Sequence, residues 1–236
     1  MANKYDKDDN ILSKSNQVHS VYRKKRLRIF TRARRPKCKV HDIRYQYLGK
    51  AFISRSNCKD ITIYYTNFRG AQFSRTSFCK AKIISSEFRG TLFNYCDFRN
   101  AVFKNCIFIA CKFRHCQFFQ ASFTDVIMAN NQFMDTDIDV LSLEKGIEKL
   151  NIQEKNFISK ELSEVIFQLK ENDFIRKTHV LHMPHNKINI FNIFLLLKLF
   201  SESELLLLLP RLQKLKKEVI NFYFLVDCLK KEKTML

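Results

Sequence analysis

A large apolar residue returns at every fifth position from Ile43 to Leu143, and this period restricts the fold more than any other feature of the sequence. All 21 positions of the register are apolar, although apolar residues make up only 46% of the chain. Chance would give such a run with odds on the order of one in ten million. A period of five fits neither an α-helix nor a β-strand. The chain must therefore turn a corner after each short extended segment.

A second register, two residues before the first, holds small side chains. Its members from Ala51 to Thr136 are Ala, Ser, Thr, Cys or Val, with Ile61 and Asn131 as the exceptions. One large and one small residue from each segment would then point inward. This combination fills a narrow interior without overpacking it.

These residues carry a resemblance to a known family. The runs Asn67-Phe68-Arg69-Gly70-Ala71, Asp97-Phe98-Arg99-Asn100-Ala101 and Lys112-Phe113-Arg114-His115-Cys116 resemble the pentapeptide-repeat family. The resemblance covers residues 41–143 and implies a mainly β fold, a right-handed quadrilateral β-helix with four repeats per coil. About five coils, at the usual strand spacing of about 4.8 Å, give a rod roughly 24 Å long.

The cysteines follow the same registers. Cys96, Cys106, Cys111 and Cys116 occupy the small inward position, and Cys58 occupies the large one. A metal or redox cluster is the functional interpretation, but the chain has no Cys-x-x-Cys pair, so we interpret them as buried thiols that replace Ala or Ser. Eight cysteines at uneven spacings without a secretory leader favour a reducing compartment, and we predict a cytoplasmic protein.

One outward face changes from charged to apolar along the rod. Residues 20 apart stack in such a fold, so Glu87 and Arg89 are followed by Ile107 and Ile109 and then by Ile127. We predict an apolar docking face, to which a neighbouring side adds Phe119. Its occupant is the C-terminal segment of the same chain, a partner protein or a second copy. The outward arginines, at positions 69, 75, 89, 99 and 114, either bind anions or keep the rods soluble.

The formal net charge of +19 is concentrated at the start of the chain. Residues 1–40 form a predicted, partly disordered arm with 13 Lys/Arg and three acids. Its basic cluster consists of Arg23, Lys24, Lys25, Arg26, Arg28, Arg32, Arg34, Arg35, Lys37 and Lys39. Such a cluster can contact the phosphates of a nucleic acid, bind acidic lipid, act as a nuclear import signal or be a solvated lead-in to the first coil.

Residues 144–236 show helical spacing instead of the fivefold period. Ile147, Leu150 and Phe157 begin one or two predicted helices that continue to Leu169, with Ser159 or Ser163 as caps. Two apolar helices are predicted over Ile190–Phe200 and Leu205–Leu229, the second kinked at Pro210. The predicted dimerisation or docking helix presents Leu205, Leu208, Leu212, Leu215, Val219 and Phe222. His179, His182 and His185 have a spacing that could hold a metal, but Pro184 interrupts them and no carboxylate or Cys completes the set, so we predict no metal site.

The sequence predicts a binding protein instead of an enzyme. It contains no glycine-rich phosphate loop, nucleophile elbow or His-Glu-x-x-His motif, and we predict no cofactor. The first hypothesis is a protein-binding scaffold, with homodimerisation through the C-terminal helices as one form of it. The second is a nucleic-acid-associated protein that acts through the arm. The resemblance also implies two further roles, a DNA gyrase or topoisomerase modulator and a host-directed bacterial effector. The 13 Lys/Arg against eight acids in residues 41–143 argue against mimicry of DNA.

Overall fold

The computed structural model describes residues 42–138, 147–149, 158–185 and 187–235. The basic cluster from Arg23 to Lys39 and the predicted boundary at Leu143 lie outside the described residues. The described chain forms a four-sided β-helix of about five coils, followed by a helical segment. The β-helix that the resemblance to the pentapeptide-repeat family implies is confirmed.

From β1 to β13 short strands follow one another at intervals of five or ten residues along the rod, and β14 follows after a longer interval. In chain order they are β1 (Ile43–Arg44), β2 (Phe52–Ser54), β3 (Thr62–Tyr64), β4 (Gln72–Ser74), β5 (Lys82–Ile84), β6 (Glu87–Arg89), β7 (Leu92–Asn94), β8 (Val102–Lys104), β9 (Ile107–Ile109), β10 (Lys112–Arg114), β11 (Ser122–Thr124), β12 (Val126–Ala129), β13 (Gln132–Met134) and β14 (Ile147–Lys149).

The strands stack into three parallel sheets, which we call sides A, B and C of the rod. Side A has the order β1-β3-β5-β8-β11, side B the order β6-β9-β12-β14, and side C the order β2-β4-β7-β10-β13. Side D, opposite side B, is a ladder of single bridges that joins Asn57, Ser77, Asp97 and Gln117. From β1 to β13 paired residues are 20 apart, as in Phe73↔Phe93, so one coil takes four repeats. β14 pairs with β12 at a separation of 21 residues.

The interior is a set of stacked aromatic columns. Phe93 lies between Phe73 and Phe113, with ring centroids 5.1 and 4.8 Å apart and planes within 8° of parallel. The small register lies beside these columns, and most of its hydroxyls and thiols donate to carbonyls two residues earlier, as Thr76 does to Ser74, whereas Thr91 donates to the carbonyl of Phe68. These buried polar atoms therefore find their partners within the rod.

Each corner of the rod is a residue with a left-handed backbone. Every fifth residue from Tyr45 to Asp135 has a positive φ, between 45° and 62°, and only Gly70 and Gly90 among them are glycines. This conformation turns the chain from one side of the rod to the next. None of these corner positions holds Val, Ile or Thr, for which a positive φ is most strained.

The C-terminal segment packs its helices on side B. They are α1 (Lys160–Gln168), α2 (Asp173–Arg176), α3 (Ile190–Leu199), α4 (Glu202–Leu208) and α5 (Phe222–Thr234), with a hairpin of β15 (His182–Met183) and β16 (Lys187–Ile188) before α3. Ser159 caps α1, and Ser201 with Glu204 forms a capping box at the start of α4. No described helix is long and apolar enough to cross a membrane.

Two predicted helices differ from the structure. Ile147, predicted to begin a helix, begins β14, which adds a parallel strand to side B beside β12. Leu150 and Phe157 lie outside the described residues. The predicted helix over Leu205–Leu229 is divided into α4, a 3-10 turn over Leu209–Lys214, a connection without regular structure and α5. Pro210 contributes to this break because it has no backbone N–H to donate.

We expect the aromatic columns to dominate the stability of the rod. The substitution Phe93→Ala removes a ring stacked on both sides, and it should lower the free energy of unfolding by about 3–5 kcal/mol. Phe52→Ala is the matched control, because the Phe52 side chain is 62% exposed, and its effect should stay within about 0.5 kcal/mol. Urea denaturation of the full chain measures both, and equal losses would contradict the stacked interior.

Candidate functional site

The contact between side B and the C-terminal segment has a polar half and an apolar half. Asn67 and Glu87, in the earlier coils, are buried beneath the segment together with the partly buried Arg89. In the later coils Ile107 and Ile109 are buried in one apolar cluster with residues of α3, α4 and α5. The face therefore changes from charged to apolar as the sequence indicated, and the same chain covers both halves.

Arg89 is the centre of the polar half. Its Nε donates to Glu87 Oε1 at 3.1 Å, and its two terminal nitrogens donate to Asn189 Oδ1 at 3.1 Å and Asn192 Oδ1 at 2.9 Å. The guanidinium carbon lies 5.4 Å from the ring centroid of Phe191. Side-chain exposures of 11% for Arg89 and 3% for Glu87 make this a largely desolvated ion pair. The bonds to Asn189 and Asn192 hold the first turn of α3 against the rod. Removal of either charge of the ion pair would leave the other charge buried without a partner.

Buried asparagines link the loops of the segment to the rod. Asn67 Nδ2 donates to the carbonyl of Ile220 at 3.0 Å, and Asn221 Nδ2 donates to the carbonyl of Ser85 at 2.7 Å. The second carboxylate oxygen of Glu87 accepts from the backbone N–H of Phe222 at 3.3 Å. The bond from Phe222 satisfies a backbone N–H at the start of α5, where a helix lacks internal partners.

Sequence reasoning missed this network, although one signal was present. Asn189 and Asn192 interrupt the most apolar stretch of the chain, and in the structure both cap or line the first turn of α3 and accept from Arg89. A polar residue inside an apolar helix indicates a buried partner. The identity of that partner could not be inferred, because Arg89 is about 100 residues away in sequence.

A hydrogen bond also joins α5 to the corner between sides A and B. The Tyr65 hydroxyl donates to the carboxylate of Asp227, and the Tyr65 ring stacks on Tyr45 at 5.4 Å. Burial, followed by the neighbouring Asp227 charge, raises the pKa of Tyr65. The hydroxyl therefore stays protonated and keeps its role as donor.

The predicted docking face is divided by the structure. Ile107 and Ile109 are buried against the C-terminal segment of the same chain, and the partly buried Ile127 packs against the same cluster. Phe119 lies on side D, on the far side of the rod, and its side chain is 62% exposed. Docking of a partner on Phe119 stays a prediction.

The predicted dimerisation helix is not available as a single surface. Leu205 and Leu208 lie in α4, Leu212 in the 3-10 turn, Leu215 and Val219 in the connection, and Phe222 at the start of α5. Leu215 is half-buried and the other five are buried within the chain. Their apolar surface is already covered by the rod and by neighbouring helices, because the breaks after Leu208 fold the segment back on itself.

The cysteine and histidine positions show ordinary structural roles. Burial raises the pKa of Cys58, Cys106 and Cys111 to about 12, so these thiols are protonated near neutral pH. The described residues place no three His, Cys, Asp or Glu side chains together as a metal site. In the hairpin, His182 is 3% exposed, and its Nε2 donates to the carbonyl of Ile166 at 2.7 Å.

A shallow cleft of about 360 Å³ follows the edge of the interface, between the rod and α3 and α5. Val126, Ile127 and Leu195 give it an apolar lining, which also includes Asp125 and Lys198. The lining contains no Ser, Cys or His. We interpret the cleft as a gap in the packing between the rod and the C-terminal segment.

A family model described as pentapeptide repeats matches eight copies in this chain, at residues 56–94 and 86–125. The matches lie inside the β-helix described above. No curated protein matches the sequence.

Solved structures of pentapeptide-repeat proteins are similar to the rod. HetL of the cyanobacterium Nostoc sp. strain PCC 7120 is 15% identical, with a TM-score of 0.40, over 44% of this chain and 45% of HetL. A protein of the Arabidopsis thaliana thylakoid lumen is 16% identical, with a TM-score of 0.36, over 49% of this chain and 83% of that chain. QnrB1, a plasmid-mediated fluoroquinolone resistance protein, is 16% identical, with a TM-score of 0.19, over 50% and 68%. The chain thus spans less than half of HetL.

The Arg89–Glu87 pair should be essential for seating the C-terminal segment. Arg89→Met leaves the Glu87 carboxylate buried without its cation, and we expect a loss of about 3–5 kcal/mol in the free energy of unfolding. The double variant Glu87→Gln/Arg89→Met should recover part of it. Arg99→Met, at an ion pair whose arginine side chain is 49% exposed, is the control and should lose less than about 1 kcal/mol. Equal losses in urea denaturation for Arg89→Met and Arg99→Met would contradict this role.

The hairpin should make stability depend on pH in the acid range. Burial, followed by the positive charges of Lys170 and Arg176, lowers the pKa of His182 below its ordinary value. His182 then binds a proton more readily in the unfolded chain than in the folded one. Its contribution to the free energy of unfolding is therefore fully present above about pH 6.5 and is lost as the pH falls below that value.

His182→Gln keeps an amide donor for the Ile166 carbonyl and cannot titrate in this range. We expect urea midpoints of this variant to fall less than those of the natural chain between pH 7.5 and 5.5. His185→Gln, at an exposed position of the same hairpin, controls for the substitution itself. An unchanged pH slope in His182→Gln would contradict the assignment.

Proposed function

The rod of this chain is a β-helix of the pentapeptide-repeat family, and on that premise we propose that the protein is a non-enzymatic scaffold that acts through protein–protein contacts. Its interior supports this proposal, because the stacked Phe columns leave no room for a substrate inside the rod. Binding must then take place on the outer surface.

The observation that carries the proposal is the exposure of large apolar side chains at rigid positions of the rod. Phe119 follows the inward Phe118 directly, so its backbone is fixed by the ladder of side D. Its side chain is 62% exposed, whereas side B is already covered by the C-terminal segment. An exposed aromatic residue on a preorganised backbone is typical of the residues that contribute most to protein interfaces.

The surroundings of Phe119 suit a protein partner. Gln117 and Gln120 are exposed beside it, and the Arg99 guanidinium of the preceding coil binds the Asp97 carboxylate through two nitrogens. An aromatic side chain with a polar, charge-balanced border resembles the centre and rim of an interface. We therefore propose side D, around Phe119, as the protein-binding surface.

The other roles have less support. A modulator of gyrase that imitates DNA needs an acidic surface, whereas residues 41–143 hold 13 Lys/Arg against eight acids. A host-directed effector role rests on the resemblance alone. Association with nucleic acid through the arm stays a prediction, because the arm lies outside the described residues.

A photo-crosslinking amino acid in place of Phe119, in the full chain expressed in its source cells, tests the protein-binding surface. We expect a discrete crosslinked partner, and the same label at Val102 on side A should not capture it. With that partner purified, Phe119→Ser should weaken binding by about 2 kcal/mol, or about thirtyfold, while the urea midpoint stays unchanged. Identical crosslinks from both positions, or unchanged affinity of Phe119→Ser, would overturn the proposal.

A further inference from the structure

Side C is a continuous basic surface that no helix of the described chain covers. Its segments 51–55, 71–75, 91–95 and 111–115 contain four Lys/Arg and no acid. These residues, Arg55, Arg75, Lys112 and Arg114, are all exposed. At the usual strand spacing of about 4.8 Å they extend over three coil steps, or about 14 Å.

The remaining outward arginines are engaged elsewhere. Arg89 binds Glu87 and two asparagines under the C-terminal segment, and Arg69 lies against Met183 of the hairpin. Arg99 on side D is held by Asp97. Among the described residues, Arg75 and Arg114 are the two of the five outward arginines that have no carboxylate partner and lie on an uncovered side, and both are on side C. The arginines that can still bind an anion are thus on one surface.

The corner beside side C is ordered by stacking. The Arg75 guanidinium carbon lies 5.7 Å from the ring centroid of Tyr95, which stacks on His115 at 4.5 Å, with planes 14° apart. His115 Nδ1 is 3.4 Å from Asp135 Oδ2, the single acid of this side, in the last coil. Because this stack holds Arg75 in place, less side-chain freedom is lost when it binds an anion.

The surface between the cations offers hydrogen-bond donors and apolar contacts. Ser54, Ser74, Asn94 and Gln72 line the outer face of the strands, and Phe52 and Tyr95 are 62% and 51% exposed. Phosphates accept from guanidinium, hydroxyl and amide groups, and unpaired bases pack on exposed aromatic surface.

We propose that side C binds single-stranded nucleic acid, with the phosphates on Arg55, Arg75, Lys112 and Arg114 and a base against Phe52. A flat strand surface with an exposed aromatic residue suits unstacked bases, as on other sheet platforms. A duplex would hide its bases from Phe52, and side C has no projecting helix that could enter a groove. This surface is separate from Phe119 on side D, so it does not depend on the proposed protein-binding function.

Binding of a fluorescein-labelled oligo-U of 20 nucleotides to the full chain, measured by anisotropy over a range of salt concentrations, tests the proposal. The variant Arg55→Gln/Arg75→Gln/Lys112→Gln/Arg114→Gln should bind about tenfold or more weakly at 0.1 M salt, and its log–log salt slope should decrease by about 3. Glutamine is compatible with the left-handed corners at positions 55 and 75, because Gln120 already occupies one.

The matched control removes the same number of charges from sides A and D. Lys59→Gln/Lys80→Gln/Lys82→Gln/Lys104→Gln should change the affinity less than threefold, since net charge alone is then equal to that of the side C variant. Phe52→Ser should weaken binding to oligo-U and leave binding to a 20-base-pair duplex unchanged. Circular dichroism and urea midpoints establish that each variant is folded.

Crosslinking locates the bound strand independently of affinity. An oligonucleotide with 5-bromouridine, irradiated on the full chain, should label peptides that contain residues 52–55, 72–75 or 112–115. Equal weakening in both quadruple variants, crosslinks confined to residues 1–40, or tighter binding of the duplex than of oligo-U would overturn the proposal.

Discussion

The stacking of Phe rings from coil to coil is the interaction on which the other features of the rod depend. Parallel rings about 5 Å apart, as in Phe88 on Phe108, require that equivalent residues of successive coils lie directly above one another. That requirement fixes the pairing of the strands that carry the rings at 20 residues and leaves no register in which these coils could slip. A coil shifted by one residue would place charged side chains in the interior, so the columns and the outer sides are determined together.

The corners show what this register demands of the backbone. A left-handed residue at every fifth position is unfavourable for L-amino acids, by about 1 kcal/mol or more each, and 17 of the 19 corners are not glycine. The ladder bonds on both sides of each corner hold it in place, as with the Arg75 N–H and the Asn94 carbonyl at 2.9 Å. The corner positions contain no Val, Ile or Thr, and this pattern in the sequence indicates where the turns lie.

The sequence predicted the rod well because its determinants are local and repeat many times. The C-terminal segment has no such repetition, and there the predictions were partly wrong. Ile147 has helical spacing, yet Ile147–Lys149 pairs with β12, because the open edge of side B offers backbone partners that no pattern in the segment reveals. Leu205–Leu229 reads as one helix, yet the buried contacts of Asn221 with Ser85 and of Phe222 with Glu87 favour a new start for α5.

The segment also determines how the positive charge of the rod is presented. A count of outward arginines treats Arg69, Arg75, Arg89, Arg99 and Arg114 as equivalent, whereas the fold makes them different. Docking of α3 desolvates Arg89 against Glu87, and the turn of side D places Asp97 beside Arg99. Arg75 and Arg114 lie on side C, which adjoins the covered side B, and the ion pairs of the described residues give neither of them a carboxylate partner. Because the segment covers the outward arginines of side B and Asp97 binds Arg99 on side D, the arginines without an acidic partner are those of side C.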